Sequence, residues 1–87
     1  MIIDTHCHAG RNWFQPIETL EFEMDQAGVD AAVLIQHGGT YDNDYLFAEA
    51  AKRAGRFKVV MMIDPEDPDP LGRLAQLAGQ GAAGVRI

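Results

Sequence analysis

With 87 residues the chain has room for one domain, and 47% hydrophobic residues mark it as a folded globule rather than a disordered segment. Thirteen acidic against seven basic side chains give a formal charge of −6, which disfavours nucleic-acid phosphates and anionic lipid surfaces as partners. No apolar run nears the roughly 18 residues of a membrane span, no charged-then-apolar leader comes first, and one cysteine cannot found a disulfide framework; a soluble cytoplasmic protein is expected.

The opening run, MIIDTH, is apolar and β-branched and predicts a strand. Ile17, Leu20, Met24 and Ala27 then follow at steps of 3, 4 and 3, a helical stripe with Pro16 at its first turn and Gly28 at its end. AAVLIQH, from Ala31, predicts a second strand. A second helix carries Leu46, Phe47, Ala50, Ala51 and Ala54 on one face, with Asn43 as its N-cap and Gly55 as its stop. FKVVMMI, from Phe57, is the third strand, Met61 and Met62 filling core. In the DPEDPDP run that follows, Asp64, Glu66 and Asp67 read as solvated or capping groups. Asp69 and Pro70 then start a third helix with Leu71, Leu74, Leu77 and Ala78 in its stripe, closed by Gly79 and Gly81. GVRI is the fourth strand.

These apolar runs are nearly continuous rather than alternating, as in parallel strands covered on both faces. The order β-α-β-α-β-α-β therefore predicts an α/β fold with a parallel sheet, built through helical crossovers. Nothing follows the fourth strand to cover it, so residues 1–87 read as a truncated portion of a larger domain.

Two histidines, His6 and His8, stand where the first strand ends. Period-two alternation puts both on one face about 6.6 Å apart and turns Cys7 to the other. Two neutral imidazoles on one face form half a site for a divalent transition metal, at the strand end where parallel α/β folds place their chemistry. The competing reading of a bare H-x-H is a pair of loop histidines bonded to the backbone. By the same parity Asp4 shares their face one pleat deeper, as a buried partner for an imidazole or for the interior behind it rather than a third ligand. Cys7 reads as a small buried thiol in the helix-facing layer.

IDTHCH resembles the first strand of the amidohydrolase superfamily of metal-dependent hydrolases, which are (β/α)8 TIM barrels. GVDAAVLIQ, the stretch from Tyr41 to Asp69 and GAAGVRI are similar to the amidohydrolase-related group, which contains lactonases, non-oxidative decarboxylases and hydratases. That resemblance spans the whole chain but only the first third or so of such an enzyme: the (β/α)3β portion of a barrel. It implies that His6 and His8 bind a metal, zinc or alternatively manganese. It also implies that the remaining ligands and an aspartate general base lie on later strands. The implied reaction is hydrolysis of a lactone or another ester- or amide-like carbonyl by metal-activated water.

Further candidates lie at the same strand ends. His37 closes the second strand and is a candidate substrate contact, or a polar residue of the HGGTYDND loop. Arg11, Asn12 and Trp13 follow the first strand as a carboxylate- or sugar-recognising loop or as plain surface. In GVRI, Val85 and Ile87 claim the helix-facing side and turn Arg86 inward, where an arginine needs an anion from the substrate or from Asp4. The alternatives are a decarboxylase on the same metal site, a TatD-type nuclease, and a non-catalytic half-barrel. The nuclease reading is disfavoured because its Gly-x-His-Pro segment is replaced by MIDPEDPD. A small-molecule substrate is expected, with no nucleic-acid or membrane partner. Four strands with open edges should also self-associate, as a homo-oligomer or with a complementary fragment.

Overall fold

The computed structural model describes residues 1–11 and 14–86. Strands β1 (Ile3–Cys7), β2 (Ala31–Ile35), β3 (Phe57–Met62) and β4 (Ala82–Arg86) alternate with helices α1 (Ile17–Ala27), α2 (Asp44–Ala51) and α3 (Pro70–Gly79). All strand pairs are parallel and lie in sequence order, β1-β2-β3-β4. The result is the expected α/β architecture, an open portion of a barrel with a helix in every crossover.

Parity divides the sheet. Cys7, Ala32, Leu34, Phe57 and Val59 bury their side chains against Ile17 and Met24 of α1 and Leu46 of α2. On the opposite face Val33, Ile35, Val60 and Met62 stay half-buried. Both faces are apolar, which is why the strands read as continuous rather than alternating runs.

The helices begin and end for local reasons, with three departures from expectation. Pro16 precedes α1 at the N-cap position instead of entering the first turn, and its carbonyl accepts from Thr19 and Leu20. Gly28 closes α1 in the left-handed region at φ 73°, and Val29 N–H bonds back to Met24. Helix α2 stops at Ala51, short of Ala54, as Arg53 N–H switches to the Ala50 carbonyl, three residues back. Asp69 caps α3, accepting from Gly72 N–H at 3.1 Å ahead of Pro70. The third departure is the apolar stripe of α3. Leu77 is buried, but Leu71 is 78% and Leu74 39% exposed, because no described element covers that side of the helix.

An ion-pair cluster ties the helix layer together at the end of the sheet away from the histidines. Arg53 meets Glu21 of α1 and Glu49 of α2, both at 2.6 Å. Arg56, just before β3, reaches Asp25 at 2.6 Å and Glu21 at 3.4 Å, and donates to the Val29 and Asp30 carbonyls leading into β2. Five side chains thereby fix α1 against α2.

A bulge in β1 decides how that strand presents its side chains. Asp4 pairs with Ala32 and Cys7 with Leu34, so β1 spends one residue more than β2 between the two pairs. Asp4 and Cys7 consequently share a side, and Asp4 does not share the face of the histidines. Its carboxylate is exposed and accepts from His6 N–H at 2.9 Å and from the Cys7 thiol. The expectation of a buried partner for an imidazole is corrected accordingly.

Candidate metal centre

His6 and His8 converge at the C-terminal end of β1. Their Nε2 atoms are 3.2 Å apart and their rings meet edge to face at 4.9 Å. His8 Nδ1 lies 2.7 Å from the Ile35 carbonyl at the end of β2. A carbonyl only accepts, so Nδ1 carries a proton, and in the neutral imidazole Nε2 is then the lone-pair nitrogen. This hydrogen bond is the arrangement that orients a metal-ligating histidine. With His8 Nε2 as acceptor, the 3.2 Å contact is a hydrogen bond donated by His6 Nε2–H.

The spacing suits a divalent ion. Two nitrogens at zinc's usual bond length of about 2.0–2.1 Å in a tetrahedron stand roughly 3.3 Å apart. Among the described residues no group of three His, Cys, Asp or Glu side chains is gathered, so the pair has no third side chain of these types beside it there. Cys7 is turned away into the core, where burial and then its bond to Asp4 push the thiol up to about 12. Asp4 is held below its ordinary range, first by His6 N–H and then by the Cys7 thiol.

The end of β2 connects the other expected site residues. Ile35 receives His8. The Gln36 carbonyl accepts from Arg86 Nη1 at 3.0 Å. His37 is half-buried, with Thr40 Oγ1 3.0 Å from its Nδ1 and the Phe14 ring 5.3 Å away. Arg86 sits in register with Met62 while Val85 pairs with buried Met61, so Arg86 takes the inner side as expected. Its partner is the Gln36 carbonyl rather than Asp4, which the bulge in β1 has turned elsewhere. Ile87, Asn12 and Trp13 lie outside the described residues. Arg11 is exposed, its guanidinium 5.3 Å from the centre of the Tyr45 ring. It lines a cleft of about 650 Å³ with Gly10, Gln36, His37, Thr40 and Tyr45.

Sequence reasoning missed three residues here. Gln36, read only as strand, is buried and fastens the following loop by donating to the Asp42 carbonyl and accepting from His37 N–H. Asn43 stands at the N-cap of α2 but makes no capping bond. Its amide instead brackets Met62, donating to the carbonyl at 2.9 Å and accepting from N–H at 3.1 Å. Phe14 stacks on His8 at 4.8 Å and 25°. Asp64 and Asp67, by contrast, act as expected in their turn, accepting from Glu66 and Asp69 N–H.

Neither a protein-family profile nor a curated protein matches the sequence. Among solved structures the chain is similar to a probable 2-pyrone-4,6-dicarboxylic acid hydrolase of Acinetobacter baumannii, crystallised with citric acid bound. The TM-score is 0.76 at 20% identity, over 99% of this chain and 37% of that one. The likeness is one of fold. This chain spans little more than a third of that hydrolase's length.

Proposed function

We propose that the chain is the first part of a metal-dependent hydrolase of the amidohydrolase-related family, cleaving a lactone or a similar ester-like carbonyl of a small carboxylate substrate. One observation carries the reading: two Nε2 atoms 3.2 Å apart, with His8 held by its Nδ1–H on the Ile35 carbonyl so that the neutral ring leaves Nε2 as an acceptor. His6 and His8 would hold the metal, zinc or alternatively manganese. When bound, such an ion lowers the pKa of water and polarises a carbonyl. The protein's own contribution is to fix both imidazoles and to place cationic groups for the substrate's carboxylates. Arg86, anchored by one nitrogen to Gln36, has guanidinium donors left for an anion, and a planar fork suits a carboxylate. His37 forms a wall on the β2 side. The fold's likeness to a probable 2-pyrone-4,6-dicarboxylic acid hydrolase supports this substrate class. The same reading assigns the protein to the cytoplasm, where a lone buried thiol stays reduced.

The test is a titration of the metal-free chain with zinc by calorimetry and with cobalt by absorption. With two ligands of the usual three, binding should be weak, and it should vanish when His6→Ala and His8→Ala are combined. Tight binding that survives the double substitution would show that other residues hold the ion.

A further inference from the structure

Phe14 is the described non-glycine residue with a positive φ, 62°, a region that a bulky side chain rarely occupies. Burial does not account for it. The side chain is 45% exposed. What the unfavourable backbone achieves is the placement of the ring. Phe14 lies flat on His8, centroids 4.8 Å apart and planes 25° apart, and its ring is also 5.3 Å from that of His37.

We infer that Phe14 is the positioning residue of His8: its ring, braced by His37, stops the imidazole from pivoting and keeps Nε2 aimed at His6. The bond from Nδ1 to the Ile35 carbonyl at 2.7 Å, together with the covalent link through Cβ, restricts the imidazole, and the angular tolerance of a hydrogen bond leaves it a residual tilt. A flat aromatic face against the imidazole limits that tilt. Hydrogen bond and stack together define where the second nitrogen points. His37 is steadied in turn by the Thr40 hydroxyl, 3.0 Å from Nδ1, so the wall behind Phe14 belongs to the β2–α2 loop. Strain held at a residue that touches a metal-ligating group is where such strain is commonly found. The consequence for metal affinity rests on the reading of His6 and His8 as ligands. The stack itself does not, and can be read in the metal-free chain.

The experiment compares the wild-type chain with Phe14→Ala, Phe14→Trp and Phe14→Gly. Imidazole proton and nitrogen resonances are recorded without metal, followed by zinc affinity and thermal midpoint. Phe14→Ala should shift the His8 ring protons downfield as the stacked ring current is lost, and should mix in the Nε2–H tautomer. Zinc affinity should fall about tenfold, the usual effect of removing a group that orients a ligand. Phe14→Trp should preserve both signals. Phe14→Gly, which relieves the positive φ, should hold or raise the thermal midpoint while losing affinity as Ala does. A merely structural role would move stability and affinity together, and that result would overturn the inference. So would unchanged His8 resonances in Phe14→Ala, or unchanged affinity in that variant beside a zinc-binding wild type. A wild type that binds no zinc would defeat the metal reading instead, and the resonances alone would then decide whether Phe14 positions His8.

Discussion

Asn43 offers a sharp test of what holds the β3 end of the site, because its position and its bonding favour opposite substitutions. It is 3% exposed, and its amide makes three hydrogen bonds to main chain: Nδ2 to the Met62 and Tyr41 carbonyls, and Oδ1 from Met62 N–H. At about 1 kcal/mol net for each bond, Asn43→Ala should cost about 3 kcal/mol, more where Met62 is left unpaired and dry. A chain of this length has a total stability of about 4–13 kcal/mol. The expected loss is thus a large share of it, a fall in thermal midpoint of roughly 12–24 °C. The informative variant is Asn43→Asp. A helix cap accepts aspartate as readily as asparagine, so a capping role makes this change neutral. The bracket needs donor and acceptor together. A carboxylate can take Met62 N–H but offers nothing to the two carbonyls, so Asn43→Asp should be at least as damaging as Asn43→Ala at pH 7. Part of its loss should return as the pH is lowered and the carboxyl gains a proton. Urea unfolding followed by far-UV circular dichroism, with the slope checked for constancy, measures both. An aspartate variant within about 0.5 kcal/mol of wild type would refute the bracket and restore the cap.

The arginine cluster should appear in the acid limb of stability. The hydrogen bond from Arg53 holds the Glu49 carboxyl below its ordinary range, so its stabilisation is complete above the unfolded value of about 4.3 and is lost as pH falls through the lower folded value. Arg53→Met should flatten that limb in urea midpoints measured against pH, and cost about 1 kcal/mol at pH 7, because Glu21 keeps Arg56 and Glu49 keeps only the exposed Lys52. An unchanged acid limb would show that Glu49 gains nothing from Arg53. Cys7, its thiol raised to about 12 and its side chain buried, should resist a thiol reagent at pH 8 in the folded chain and label fully in urea. Rapid labelling under native conditions would place it outside the core.

The strands and helices were legible because their signals are local: apolar stripes at a helical step, Asp69 before Pro70, Gly28 past the last turn. The pairing of His6 with His8 was legible for a narrower reason. Counting by twos holds from residue 6 to residue 8, whereas the bulge lies between Asp4 and Cys7 and breaks the count for Asp4. Asn43 was correctly placed at the start of α2, but its partner Met62 is 19 residues further on, and no capping rule looks that far. The inward turn of Arg86 followed from its apolar neighbour Val85. Its anchor did not, because every residue carries a carbonyl and nothing marks that of Gln36. No pattern announces a positive φ at Phe14, since phenylalanine avoids that region wherever it has a choice.

His8, Arg86 and Asn43 fasten to the backbone of Ile35, Gln36 and Met62 respectively. Such tethers have an unusual heredity. Any side chain that keeps its strand in place at 35 or 62 supplies the same carbonyl, so those positions can drift without harm and show no correlated change with 8 or 43. A one-residue deletion in β2 would instead carry the Ile35 and Gln36 tethers off their marks together, and one in β3 would do the same to both bonds at Met62. In a lineage of such chains the site would be guarded against insertions and deletions far more strictly than against substitutions at the tethering positions, and a search for co-varying pairs would pass over the bonds that hold it.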